Sequence, residues 1–252
     1  MTIGKAHQRK IREESLDREP LPNDILSEAR VVPLTYHEAR SIIVDFEWLK
    51  TMAGGTRACY GLKYGLELLG VTCFDRHGCS TAAHDIVTVP AKTICLARGA
   101  CVPHAPVNAG SFLIRRAIEQ AHQDFGWEVF FAYSDPSAGE VGMIYQALNW
   151  KYVTAAKDNG LKSFISPDGT VKISSYEFSH RKRTEYKFYR LGWDGIEGKY
   201  DFLRRLGFTE KGEPTKGKYV WFEGDRRRQR ELRKHCRFPF LPYPKRTMAA
   251  GA

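Results

Sequence analysis

Along YHEARSIIVDFEWLKTM (36–52) the apolar residues Ala39, Ile42, Ile43, Phe46 and Leu49 recur every three or four positions. This spacing predicts a helix that stops before Gly54 and Gly55. Two short apolar runs follow, ACYGLKY (58–64) and ELLGVTCF (67–74), joined tightly enough to predict a β-hairpin. KTICLARGACV (92–102) reads as a long strand, interrupted by PHAPVNAG (103–110). SFLIRRAIEQAHQDF (111–125) then sets Phe112, Leu113, Ala117, Ile118, Ala121 and Phe125 on one stripe, the mark of an amphipathic helix. WEVFFA (127–132) is predicted as a buried strand, MIYQALNW (143–150) as a helix and KYVTA (151–155) as a short strand. SPDGT (166–170) is a turn between strand-like FI and VKI. From residue 176 the chain turns basic and aromatic, with helix-like DFLRRLGF (201–208) and DRRRQRELRKHC (225–236). No internal repeat or low-complexity tract interrupts this order.

Composition changes the picture in three ways. With 252 residues, 42% of them hydrophobic, the chain can bury a full core as one α/β domain with an extension, or as two small domains. No apolar run reaches the roughly 18 residues of a membrane span, and the charged N-terminus lacks the apolar centre of a secretory signal. The expectation is a cytoplasmic protein with no membrane partner. The six cysteines (59, 73, 79, 95, 101 and 236) include no CxxC pair, and four fall in predicted strands, where they read as small buried residues.

Charge points to a partner. Of the net +10, nine charges come from His180–Arg237, which holds 18 Lys/Arg against 9 Asp/Glu. A surplus confined to one segment predicts a polyanion partner, duplex DNA first. The candidate phosphate contacts are Arg181, Lys182, Arg183, Lys187, Lys218, Arg226, Arg227, Arg228 and Arg230, set among aromatic residues able to wall a flipped base. The alternative is a solvated basic helix.

Candidate chemistry gathers in YSDPSAGEVGMIYQALNW (133–150). Ser134 and Asp135 stand where a buried strand surfaces, and Tyr145 and Asn149 lie four apart on the predicted helix. Gly139 and Gly142 either admit close approach of a ligand or shape a turn. Upstream, Asn108, Ala109, Gly110 and Ser111 open a helix directly after a strand, where free N–H groups and the helix dipole favour an anion. The alternative there is a plain N-cap by Asn108 or Ser111. Trp127 and Trp150 read as core residues.

The order helix, hairpin, long strand, loop, helix, strand, helix, strand resembles the GNAT acyltransferases. CLARGACV, AGSFLIRRAI, the strand ending AYSD and GEVGMIYQALNWKY, with KYVWFEGDRRRQRELR and LPYPKR near the C-terminus, resemble the phage Mom family of DNA-modifying proteins. The resemblance implies a GNAT-like α/β fold, a mixed central sheet flanked by helices, with a basic C-terminal extension. The implied layout is a charged lead-in (1–30), a catalytic domain (31–175) and a basic, aromatic-rich DNA-binding extension (176–252). The implied activity is transfer of an acyl or carbamoyl-type group to adenine N6 in duplex DNA, protecting phage DNA from restriction. It also implies acyl-CoA or acetyl-CoA as cofactor, held by Ala100, Cys101, Val102, Asn108, Ala109, Gly110, Ser111 and Asn149.

The active-site expectation falls on Asp135 and Tyr145, with Ser134 beside them. Asp135 is then the group that binds the amine or takes its proton, and Tyr145 the acid for the departing thiolate. Without the resemblance, Asp135 reads as a cap before Pro136 and Tyr145 as a core residue. Relatives carry His where this chain has Phe46, and the family's iron requirement is therefore in question. His77, His84 and His104, with Asp85, are the other candidate metal ligands, in a spacing that matches no compact motif. Two other functions stand beside the first: a CoA-dependent N-acetyltransferase acting on a protein or small amine, and a non-catalytic DNA-binding protein on a GNAT-like shell.

Overall fold

The structure is a computed structural model that describes residues 7–14, 18–76, 83–84, 86–89, 92–136, 139–155, 162–174, 188–212 and 216–245. It divides into two compact units, Met1–Ala155 with Lys216–Ala252, and Ala156–Thr215. The described helices are α1 (His7–Glu14), α2 (Tyr36–Phe46), α3 (Ala109–Phe125), α4 (Met143–Ala147), α5 (Lys199–Arg205) and α6 (Arg226–Lys234). The strands are β1 (Arg30–Leu34), β2 (Thr56–Tyr64), β3 (Glu67–Asp75), β4 (Thr93–Cys101), β5 (Val129–Ser134), β6 (Lys151–Ala155), β7 (Lys162–Ile165), β8 (Lys172–Ser174), β9 (Thr209–Gly212) and β10 (Gly217–Phe222).

The first unit is built on a seven-stranded sheet in the order β1-β2-β3-β4-β5-β10-β6. Neighbours are antiparallel except β4 and β5, which are parallel. A parallel pair needs a crossover, and α3 supplies it. This is the mixed sheet flanked by helices that the GNAT-like resemblance implies. β5 is apolar from Val129 to Ala132 because both faces are covered there. Phe130 and Ala132 join one core cluster with α2, α3 and the hairpin strands. Val129 and Phe131 join the other, with Ile86, Val87 and Leu232 of α6.

Local chemistry sets the helix ends. α2 opens on a capping box in which the Thr35 hydroxyl accepts from the Glu38 N–H at 3.2 Å and the Glu38 carboxylate accepts from the Thr35 N–H at 2.8 Å. It stops at Phe46, short of the predicted residue 52, because Glu47 is extended (φ −88°, ψ 143°). α3 ends on Gly126 at φ +67°, whose N–H donates to the His122 carbonyl at 2.8 Å.

Two features differ from the sequence reading. Gly217–Phe222, read there as part of a basic extension, is an internal strand between β5 and β6. Tyr219, Val220 and Phe222 are buried, so the segment spends its aromatic residues on the core. The expected boundary at 175/176 is replaced by an insertion of 156–215 between two adjacent strands. That second unit holds the sheet β8-β7-β9 and α5, packed around Phe164, Ile173, Phe188, Phe202 and Leu203.

Candidate active site

The parallel ladder between β4 and β5 is short: it pairs Thr93–Leu96 with Val129–Ala132. Both strands then continue apart, β4 to Cys101 along β3 and β5 to Ser134 along β10. A cleft with a cavity volume of about 190 Å³ opens at this fork. Leu96–Gly99 form one wall; Tyr133, Asp135, Glu140 and Tyr145 form another, and Glu47 and Lys216 close it. His7 and Gln8 of α1 also reach it.

The structure brings Asp135 and Tyr145 into this one cleft. Asp135 follows the last residue of β5, is buried, and faces the Lys216 ammonium at 3.2 Å. Tyr145 sits on α4, its ring 5.1 Å from Trp150 and 5.2 Å from Tyr219. Burial first, then the charges of Glu140 and Glu47, push its phenol well above the ordinary range, so it stays protonated. Ser134 does not share the cleft. Strand alternation turns it away, against Gly217, where an added Cβ would lie 2.5 Å from its hydroxyl oxygen.

Sequence reasoning missed four charged residues of the cleft, Glu47, Arg98, Glu140 and Lys216. Glu47, buried at the end of α2, accepts the Leu49 N–H at 2.8 Å. Its carboxyl is pushed up by burial, a shift that Arg98 opposes. Glu140, half-buried after β5, is pushed up to about 7 by burial and by the charges of Glu47 and Asp135. Lys216 stands one residue before β10 and became visible only once that strand was placed. Glu47 directly follows Phe46, whose side chain packs on the core while its carbonyl accepts from Gln8.

The expected cofactor residues divide. Cys101 ends β4, and its N–H is taken by the Gln8 side-chain oxygen at 3.2 Å. Ala100 and Val102 are buried in the core. Asn108 sits at the α3 N-cap without a side-chain cap, its own N–H donating to the Asn23 side chain at 3.1 Å. Ser111 turns its hydroxyl to the Asn108 carbonyl at 3.0 Å, so neither residue caps the helix as the plain alternative required. Ala109 is buried, and an added Cβ on Gly110 would lie 2.9 Å from the Ile144 side chain.

Asn149 does not share the helix with Tyr145 as the spacing predicted. α4 stops at Ala147, and Asn149 lies beyond it at φ +60°. Its N–H donates to the Gln146 carbonyl at 2.9 Å, and that of Trp150 to the Tyr145 carbonyl at 3.0 Å, the paired bonds of a Schellman ending. Gly142 likewise serves packing: at φ +72°, it leaves room for the Tyr219 ring, which an added Cβ would meet at 2.4 Å.

Two of the expected phosphate contacts are structural. Lys218 is buried, its ammonium 4.6 Å from the Phe238 ring centroid. Arg228 grips Glu128 through two hydrogen bonds of 2.9 and 2.6 Å, and also pairs with Glu231 at 2.8 Å. Arg226, Arg227 and Arg230 are exposed on α6. Arg181, Lys182, Arg183 and Lys187 lie outside the described residues, as do His77, Cys79 and Asp85. His104 is engaged by Glu67 at 2.7 Å, and among the described residues no three potential ligands gather as a metal site. Cys59, Cys73 and Cys95 are buried as read, and Trp127 and Trp150 belong to the core. No helix among the described residues is long and apolar enough to cross a membrane.

Several solved structures share features with this chain. An IAA acetyltransferase from Bacillus cereus is 13% identical, over 77% of this chain and 99% of its own, with a TM-score of 0.41. A Bacillus subtilis acetyltransferase in complex with CoA is 15% identical over 78% and 99%, with a TM-score of 0.38. The ribosomal-protein-S18-alanine N-acetyltransferase from Escherichia coli is 11% identical over 58% and 90%, also at 0.38. No curated protein matches. The Mom protein family model matches residues 28–245, from the strand before α2 to the segment beyond α6. That span takes in the fork, all of the cleft's lining but His7 and Gln8, and the sequence motifs that lead to it, and the chain belongs to the Mom protein family.

Proposed function

We propose that the protein transfers an acyl or carbamoyl-type group from a CoA thioester to the N6 amine of adenine in duplex DNA. The observation that carries this reading is the cleft at the β4/β5 fork, which sets a lysine-held carboxylate, Asp135, beside a phenol kept protonated, Tyr145. Acyl transfer to an amine requires a group that binds or deprotonates the nucleophile and an acid for the leaving thiolate. The cleft offers both.

The residues present fit a CoA thioester. Past Leu96, β4 no longer pairs with β5, and α3 opens eight residues after β4 ends with no side chain capping its first turn. At that helix start the Asn108 and Ala109 N–H groups already donate to the Asn23 side chain and the Pro106 carbonyl, so Gly110 and Ser111 would hold the diphosphate. When bound, the thioester supplies an activated carbonyl.

The DNA reading draws on α6. Its exposed Arg226, Arg227, Arg230, Arg233 and Lys234 fall within an arc of about 120° at 100° per residue, opposite buried Leu232. Arg226 and Arg227 stand in the first turn, where cations oppose the helix dipole, and of the cations there Arg228 is the one that Glu128 and Glu231 hold. A stability-driven sequence would avoid that arrangement, whereas a phosphate-binding face explains it.

The test is mass spectrometry of nucleosides from duplex DNA incubated with the protein and acetyl-CoA, alongside DNA from cells expressing it. An adenine adduct is expected. Unmodified DNA in both, together with acetylation of an added amine or peptide, would move the protein to the ordinary N-acetyltransferases.

A further inference from the structure

Three carboxylates face the cleft, and their surroundings differ. Asp135 is occupied by Lys216 at 3.2 Å. Glu47 accepts the Leu49 N–H and lies in the field of Arg98. Among the described residues the Glu140 carboxylate has neither a hydrogen-bond donor nor an ion-pair partner, and both the charges it feels most are negative. Its backbone is nonetheless fixed: the Glu140 N–H donates to the Asp135 carbonyl at 3.1 Å, tying the two residues into one turn. The Tyr145 hydroxyl also makes no hydrogen bond among the described residues, and Glu140 is the charge that weighs on it most. An unpartnered acceptor and an unpartnered donor therefore share one cleft.

We propose that Glu140 is the catalytic proton acceptor of the transfer, Tyr145 the proton donor, and Asp135, held by Lys216, the group that orients the amine. The proposal rests on the acyl-transfer reading above and assigns the base to a residue that this reading left out. Glu140 takes a proton from the amine as its nitrogen bonds to the thioester carbon. Tyr145 gives its proton to sulfur as the carbon–sulfur bond breaks. The proton on Glu140 then restores the phenol, directly or through solvent, so one N–H is exchanged for one S–H and no oxidant or reductant is needed.

Burial and the two neighbouring anions move Glu140 up to about 7, which suits a base working at neutral pH. Asp135, paired with Lys216 at 3.2 Å, is placed to accept a hydrogen bond from the amine. The other titrating groups of the cleft are His7, lowered by burial and by Lys50 and Lys10, and Cys95, pushed up by burial. The cations facing it are Arg98 and Lys216, and Tyr133 completes the wall.

The experiment combines Glu140→Gln with carbon-13 NMR of side-chain-labelled glutamate in the whole protein. One glutamate carboxyl should titrate near pH 7, vanish in Glu140→Gln, and move down in Asp135→Asn, which removes a neighbouring negative charge. Glu140→Gln should slow transfer from acetyl-CoA to duplex DNA by ~10²–10⁴-fold, the usual cost of losing a general base. It should also melt higher than the parent at about pH 8 and level with it at about pH 4, below the unfolded value. The sign follows from linkage: a carboxyl raised on folding leaves stability intact below its unfolded value of 4.5 and loses it as pH rises through about 7. A variant that transfers at the parental rate, or a Glu140 carboxyl that titrates in the ordinary range, overturns the assignment. A parent that modifies no DNA while its Glu140 titrates near 7 counts against the DNA reading and leaves the proton acceptor standing.

Discussion

Asn149 shows at single-residue scale how a motif position divides between chemistry and backbone. It ends α4 at φ +60°, a conformation that asparagine tolerates and most other residues with a Cβ avoid. Asn149→Gly should leave stability within a few tenths of a kcal/mol, whereas Asn149→Ala should cost ~1 kcal/mol through left-handed strain. Transfer activity per folded molecule should match the parent in both. A thermal melt beside the transfer assay checks this. Loss of activity in the stable Asn149→Gly variant would return the residue to the binding site.

Gln8 donates to the Phe46 carbonyl and accepts the Cys101 N–H, so one side chain bridges the end of α2 and the edge of β4 that faces the fork. Arg12 adds bonds of 3.1 and 2.8 Å to the carbonyls of Pro103 and Ala105, in the loop leading to α3. A ligand laid along β4 competes with Gln8 for that N–H. Gln8→Ala should therefore tighten CoA binding by up to about tenfold, the worth of one net hydrogen bond. Isothermal calorimetry decides: weaker binding would make α1 part of the seat.

α6 divides its arginines by burial. Neutralising Arg226, Arg227 and Arg230 together should flatten the salt dependence of duplex binding by about 0.9 for each phosphate no longer neutralised. Arg228→Met should instead lower stability, because it leaves Glu128, whose carboxyl that guanidinium holds below the usual range, with Lys92 at 3.0 Å as its remaining cation. Salt-titrated binding and a melt separate the two roles. An unchanged slope in the triple variant would remove α6 from the DNA surface.

How much of this was legible in the sequence followed burial period. The hairpin, β4, α3 and β5 were visible because each buries a regular stripe or an unbroken apolar run. β10 was hidden because Lys218 interrupts its run and cations surround it, so GKYVWF read as a basic tail; only the sheet shows that Lys218 lies against Tyr133 and Phe238. Asp135 and Tyr145 were legible through motif resemblance. Glu140 and Glu47 were not, since an isolated glutamate in a loop or at a helix end carries no periodic signal, and its environment comes from distant strands.

At the scale of the whole molecule, the division at 155 and 216 has a folding consequence. β6 and β10 are antiparallel neighbours, with Ala155 opposite Gly217, so residues 156–215 occupy the place of a hairpin turn. The second unit has its own core of Phe164, Ile173, Phe188, Phe202, Leu203 and Phe208, and the first unit's two core clusters contain none of these residues. The sheet around the fork should therefore form without the insertion. Replacing 157–215 with Asn-Gly, the pair suited to a two-residue hairpin, keeps Lys216 beside Asp135 and preserves the register of β6 on β10. The shortened protein should unfold in one cooperative transition and keep its affinity for CoA, because the fork, α3 and the cleft all lie within the first unit. Circular dichroism melting and calorimetry give the answer. A shortened chain that does not fold would show that the sheet needs the insertion. One that folds, binds CoA and still modifies DNA would confine recognition to the first unit. If it folds and binds CoA yet leaves DNA unmodified, residues 157–215 are required for engaging the duplex.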